Sequence, residues 1–284
     1  MTAENCGAFH DDSDNIIEYY TCGDPGGYPV LYMHGATPVP FTGELASFVR
    51  QKGIFALTIL RPGYGKSTPQ RFDDIFSYAQ ALEPFLDQLE LSRFDVMGLS
   101  AGAPHCYAMC AAYPGRVGEA HICAGIPLAN NRLIYSKYSK AERFMFSLSK
   151  CLPPGLIGRY GVAAMEAMER KKGWIKPPYA ESMDEVFKRY VRPNWLGIGL
   201  STRLQYKNWG FDAEKIAAKV NVYHSCSDEM VSFEIARCSA SLLKNSSFTA
   251  LDGEKHSSEK TVSEALTGIA KRLADGGPSY TDLH

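Results

Sequence analysis

The regular alternation of strand-type and helix-type patterns at both ends of this chain restricts its fold more than any other feature. Ile16 to Thr21 (IIEYYT) reads as a strand followed by the turn cluster 23–27, and Pro29 to Met33 (PVLYM) is a short apolar run that stops at His34-Gly35. A helical stretch near Gly43 to Lys52 leads into Ile54 to Leu60 (IFALTIL), apolar enough for a strand covered on both faces. Phe72 to Leu91 has apolar residues at 75, 78, 79, 82, 85, 86 and 89, which is helical spacing. Phe94 to Leu99 is a strand, Ala101 to Tyr113 a helix closed by Pro114-Gly115, and Ala120 to Cys123 another strand. The alternation resumes with Val220 to Ser225, a helix near Ser232 to Lys244, the strand Phe248 to Leu251 and a last helix near Ser258 to Ala274.

Repetition of this kind requires right-handed crossovers, and so predicts an α/β fold: a mostly parallel central sheet with helices on both faces. Between Pro127 and about Phe211 the alternation stops. That stretch is helical in pattern, is interrupted at Pro153-Pro154-Gly155 and Pro177-Pro178, and holds all three tryptophans (Trp174, Trp195, Trp209). The expected organisation is a core of residues 1–126 and 212–284 with residues 127–211 inserted as a helical cap over the carboxyl edge of the sheet.

Composition narrows the function classes. With 30 Lys+Arg against 31 Asp+Glu, a net charge of −1, the chain lacks the electrostatic footprint of a nucleic-acid binder, and its total charge argues against attachment to anionic lipid through a basic surface. The longest apolar run, Ile54 to Leu60, is too short to span a bilayer. The start, MTAENCGAFHDDSD, has neither a basic nor an apolar leader region, so a cytoplasmic location is expected. Eight cysteines form no C-x-x-C pair and are expected as free thiols in a reducing compartment. No His or Cys set completes a metal site, so neither a metal nor an organic cofactor is expected.

The sharpest chemical signal is Gly98-Leu99-Ser100-Ala101-Gly102, a G-x-S-x-G directly after a strand and opening a helix. A tight strand-to-helix turn pushes the Ser100 hydroxyl out at the top of the sheet, and the flanking glycines permit its close packing. A serine hydroxyl needs a base to remove its proton. Of seven histidines, His256 stands in the loop 252–257 after a strand and before the last helix, where it can reach across the carboxyl edge. Asp228, in the loop after VNVYHS, supplies the anion that orients an imidazole, with Glu229 as the fallback. Asp95 lies too near the start of its strand to serve. Oxyanion donors are expected from the Ala101 N–H and from the loop His34-Gly35-Ala36-Thr37-Pro38, where the Ala36 N–H is the best candidate and Thr37 either adds a hydroxyl or simply forms the turn before Pro38.

With HG at 34–35, RPGYGKS at 61–67, GLSAG at 98–102, SDEMV at 227–231 and GEKHSS at 253–258, the chain resembles the α/β-hydrolase superfamily over nearly its whole length outside the cap. The resemblance implies an eight-strand-type sheet, a triad of Ser100, Asp228 and His256, and a cap that supplies much of the substrate pocket. The chain departs from the common HGxPG form at HGATP, where Val39 follows Pro38. Residues 61–67 lack phosphate-loop spacing and are expected to be structural. In the cap, Tyr135, Phe144, Phe146, Trp174, Phe187, Trp195 and Trp209 either line an acyl pocket or form a small core.

The expected activity is a serine hydrolase cleaving a small or medium, largely apolar carboxylic ester, with a small molecule as its partner. Aminopeptidase, lactonase, thioesterase and carbon–carbon hydrolase siblings keep the same triad. An iminopeptidase would need a cap carboxylate for the substrate amine, among Glu166, Glu169, Glu181 and Glu185. Dehalogenase and epoxide-hydrolase members carry Asp where Ser100 stands. The alternative of a different class is a non-enzymatic receptor that uses the capped pocket to bind a small ligand.

Overall fold

The computed structural model describes residues 5–39, 41, 43–172, 187–192, 195–253, 255–256 and 259–276, apart from the side chains of 168–172, 187 and 259. In chain order the elements are β1 (Asn5–His10), β2 (Ile16–Gly23), β3 (Tyr28–Met33), α1 (Gly43–Gln51), β4 (Ile54–Ile59), α2 (Ile75–Gln80), α3 (Glu83–Gln88) and β5 (Phe94–Leu99). There follow α4 (Ala103–Ala112), β6 (Val117–Cys123), α5 (Arg132–Lys137), α6 (Lys140–Cys151), α7 (Pro154–Lys172) and α8 (Leu196–Tyr206). The chain closes with β7 (Lys219–Ser225), α9 (Phe233–Ala240), β8 (Ser246–Leu251) and α10 (Glu259–Ala274).

The eight strands form one sheet in the order β1-β2-β4-β3-β5-β6-β7-β8. β1 and β2 run antiparallel to their neighbours and every other pairing is parallel, so β3 to β8 all point their carboxyl ends to one edge. Side-chain alternation divides the core between two faces. From β3, Leu31 and Met33 pack with α2, α3, α4 and α9, while Val30 and Tyr32 pack with α1 and α10. Coverage on both faces explains why β3 and β4 read as largely apolar runs.

Two elements differ from the sequence expectation. The helical spacing of Phe72 to Leu91 is broken into α2 and α3, because Pro84 at the start of α3 has no N–H to continue the ladder. Asp74 starts α2 by accepting the Ser77 N–H at 2.7 Å, in a reciprocal capping box. β1 was not expected at all. It is a short, mostly exposed edge strand held by its register against β2, Asn5 opposite Thr21 through His10 opposite Ile16.

At the amino edge of the sheet lies a buried polar cluster. Asp95 Oδ1 accepts from Tyr28 Oη (3.1 Å) and from the Glu119 N–H (2.9 Å), while Oδ2 pairs with Arg272 and faces His121 at 3.4 Å. Burial alone raises the Asp95 carboxyl; His121, Arg272 and the Glu119 N–H outweigh it and hold it below its ordinary value. All eight cysteines are free thiols, Cys22, Cys106, Cys110 and Cys123 within the core.

The regular elements described between β6 and β7 are all helical. α7 and α8 approach almost backbone to backbone: a Cβ on Gly199 would lie 1.8 Å from the Pro154 carbonyl oxygen, and one on Gly158 would lie 2.0 Å from that of Trp195. The start of α8 is pressed in the same way onto the 61–67 loop, where a Cβ on Gly197 would lie 2.6 Å from Gly63 O. Trp209 is fully buried and stacks on Tyr107 of α4 (6.0 Å, 20°), so the end of this segment shares the main core. Among the described residues no helix is long and apolar enough to cross a membrane, and no group of three or more His, Cys, Asp or Glu side chains could hold a metal ion.

Candidate active site

The carboxyl end of β5 delivers Leu99 in extended conformation and then turns sharply at Ser100, whose φ is +50°. That left-handed conformation is strained for a residue with a side chain, and it is fixed here from both sides. The Ser100 carbonyl accepts the Ala103 and Ile126 N–H groups, the latter at 3.0 Å. At Gly102 a Cβ would lie 1.9 Å from the Met33 carbonyl oxygen, so only glycine lets the start of α4 seat against the end of β3.

Loops from two other strand ends converge on this hydroxyl. His256, after β8, places Nε2 2.9 Å from Ser100 Oγ and Nδ1 2.8 Å from Asp228 Oδ2. Asp228, after β7, is itself braced: its Oδ1 accepts the Met230 and Val231 N–H groups at 2.8 and 2.9 Å. The carboxylate that meets His256 is Asp228 and not Glu229. Burial pushes the Asp228 carboxyl up, but the hydrogen bond and charge of His256 and the two N–H groups more than reverse this and leave it below the ordinary value. An ionised Asp228 accepts the Nδ1–H, which leaves the Nε2 lone pair facing the Ser100 hydroxyl.

One neighbour of this relay was not singled out from the sequence. His224, near the end of β7, has Nε2 3.4 Å from Asp228 Oδ2 and donates from it to the Val231 carbonyl at 3.0 Å. Burial lowers its pKa further than Asp228 and Val231 restore it, so the ring is neutral and braces the Asp228 loop without competing for charge. Its spacing of four residues before Asp228, across a strand end, was the available signal.

The loop after β3 runs alongside Ser100: a Cβ on Gly35 would lie 3.5 Å from Leu99 O and 3.7 Å from Ser100 Cβ. Its shape is held by Arg61, a guanidinium only 1 % exposed. Arg61 donates from Nη1 to the His34 carbonyl, from Nη2 to the Gly35 carbonyl at 2.7 Å and from Nε to Ser201 Oγ on α8 at 3.1 Å. Among the described residues no carboxylate pairs with it. The Gly35 carbonyl belongs to the same peptide unit as the Ala36 N–H, so Arg61 both orients and polarises that donor. His34 Nε2 accepts the Arg61 N–H (3.2 Å) and Nδ1 donates to Gly35 O (2.8 Å); burial and the adjacent guanidinium keep this ring neutral. Tyr64 Oη donates to Ala36 O at 2.9 Å. On the other side, the Ala101 carbonyl accepts from Gln205 of α8 at 3.2 Å, and the Ala101 N–H lies among the first donors of the turn, which have no partner within a helix.

Residues 61–67 form no phosphate cradle. Their amides are consumed by the loop itself and by the helical segment: Gly63 N–H to Ser67 O, Ser67 N–H to Tyr64 O and Gly65 N–H to Tyr190 O. Of the cap aromatics, Phe146 stacks on Tyr206 at 4.0 Å, Tyr135 lies beside Phe146 and Trp209 is in the core, whereas Phe144 and Trp195 are exposed. Trp174 and the side chain of Phe187 lie outside the described residues. Glu166 is paired with Arg192 at 3.1 Å; Glu181, Glu185 and the side chain of Glu169 lie outside the described residues.

No family model matches the chain. Over 101 residues it is 28 % identical to an uncharacterized hydrolase, YcgS, of Bacillus subtilis (strain 168), a match covering 36 % of this chain and 35 % of that protein. Among solved structures it is similar to epoxide hydrolase A from Mycobacterium thermoresistibile (TM-score 0.71, 15 % identity, covering 95 % of this chain and 98 % of that one). It is also similar to a carboxylesterase structure from Nitrososphaera gargenis (0.70, 13 %, 95 % and 100 %) and to an enol-lactonase from Burkholderia xenovorans LB400 (0.63, 14 %, 95 % and 98 %). These likenesses extend over nearly the full length of each structure and establish the fold, which is that of the α/β-hydrolases.

Proposed function

We propose that this α/β-hydrolase-fold chain is a serine hydrolase that cleaves a small or medium, largely apolar carboxylic ester, or a related acyl compound, through an acyl-enzyme on Ser100. The observation that carries the reading is the relay Asp228–His256–Ser100, two hydrogen bonds of 2.8 and 2.9 Å joining side chains from three separate loops. An imidazole nitrogen facing a hydroxyl on a strained turn has a direct use in acyl transfer.

In this reading Ser100 Oγ attacks the substrate carbonyl as His256 Nε2 takes its proton, and Asp228 stabilises the imidazolium that forms. The developing oxyanion is held by the Ala36 and Ala101 N–H groups. The imidazolium gives its proton to the departing alcohol, a water is then deprotonated by His256 and attacks the ester, and Ser100 is released with the acid. Every step uses groups of this chain and water. The segment between β6 and β7 acts as the cap of the pocket, with α8 in contact with both the Ala101 carbonyl and Arg61. Glu166, already paired with Arg192, is poorly suited to anchor a substrate amine.

Ser100→Ala is expected to abolish turnover of p-nitrophenyl esters and covalent labelling by a fluorophosphonate probe. Robust labelling of that variant would overturn the assignment. Labelling of the unaltered chain without turnover across a panel of esters, lactones and amides would replace the enzyme reading with a ligand-binding one.

A further inference from the structure

α6 is amphipathic in the wrong sense for a helix packed only against its own protein. Ala141, Phe144, Met145, Leu148 and Cys151 follow the spacing of a single apolar stripe, and that stripe faces solvent. Phe144 is 66 % and Met145 56 % exposed, and α6 has no buried residue at all. The opposite side of the helix is the one that packs, through Phe146 on Tyr206 and Tyr138. Leu133 on α5 and Leu156 and Tyr160 on α7 are exposed as well.

The near-neutral total charge conceals an uneven distribution. Residues 132–160 carry Arg132, Lys137, Lys140, Arg143, Lys150 and Arg159 against a single carboxylate, Glu142, in a chain whose net charge is −1. Glu142 is engaged with the Ser139 N–H at the start of α6. Apolar side chains pointing outward and flanked by lysine and arginine match the interfacial layer of an anionic bilayer: the rings and thioether enter below the headgroups while the cations meet the phosphates. A second copy of this chain is the poorer occupant, because pairing the face with itself would bring two cationic segments together.

We propose that the α5–α6–α7 face is a docking surface for an anionic lipid membrane, with Phe144, Met145 and Leu148 inserted and Lys137 and Lys140 set against the headgroups. The proposal does not depend on the Ser100 chemistry, and Ser100→Ala is expected to bind membranes as the unaltered chain does.

The test is cosedimentation of the full chain with sucrose-loaded vesicles of phosphatidylcholine containing phosphatidylglycerol, compared with pure phosphatidylcholine, at low and high salt. Binding is expected to the anionic vesicles and to weaken with salt. Lys137→Gln/Lys140→Gln is expected to weaken it roughly 30-fold, from about fivefold per charge removed. Phe144→Ser/Leu148→Ser is expected to weaken it at least about tenfold. Both pairs are exposed, so unchanged thermal unfolding is the control. Absence of binding to the anionic vesicles at low salt, or binding indifferent to both double variants, would overturn the proposal. So would a dimer in light scattering that Phe144→Ser/Leu148→Ser converts to monomer, since the face would then belong to a second copy.

Discussion

A buried positive charge is costly, and at Arg61, which pairs with no carboxylate among the described residues, it is sustained by carbonyl dipoles, a hydroxyl and the Tyr64 ring 5.4 Å away. The return on that cost is a fixed Ala36 peptide. Arg61→Lys keeps the charge but loses the fork that holds two carbonyls at once, and is expected to lower kcat for a p-nitrophenyl ester by roughly tenfold to a hundredfold with KM little changed, an indirect form of losing an oxyanion donor. Arg61→Met should lower it further. A folded Arg61→Met variant with unaltered kcat would confine the residue to stability. The proposed relay residues were legible because each stands just past a strand end in a loop, a placement that periodicity reveals. Arg61 was not, because what defines it is contact with residues distant in sequence, which no spacing rule encodes, and His224 offered only its four-residue spacing before Asp228.

Among the elements, those with strong periodicity were read to within a few residues. The exceptions have local causes: Pro84 divides α2 from α3, and β1 owes its existence to pairing with β2 rather than to any pattern of its own. The packing of α7 on α8 was likewise invisible, since a glycine in a helical pattern signals nothing until its neighbour is known. Gly199→Ala puts a methyl where the Pro154 carbonyl stands and is expected to destabilise the protein by about 2 kcal/mol through overpacking, measured by thermal unfolding. A variant as stable as the parent would mean that α7 and α8 separate at no cost.

For the whole molecule, the sheet places its ionised carboxylates at opposite edges, Asp228 at the carboxyl edge and Asp95 at the amino edge. Both lie below the ordinary aspartate value of 3.8, so the stability they contribute is complete above that value and is lost as pH falls through their lower folded values. Asp95→Asn, which leaves Arg272 without its buried partner, is expected to cost about 3 kcal/mol near neutrality. That difference should shrink in acid, where the parent chain loses the same contribution; urea unfolding at neutral pH and below 3.8 measures both. A gap that stays constant across that range would mean that Asp95 is not ionised in the folded state. Pressed onto Gly63 at Gly197 and bonded through Gln205 to the Ala101 carbonyl, α8 is held in place beside the turn that carries Ser100. In the proposed reading, where this segment caps the pocket, new substrate preferences would arise by exchange of side chains on a support whose position is fixed.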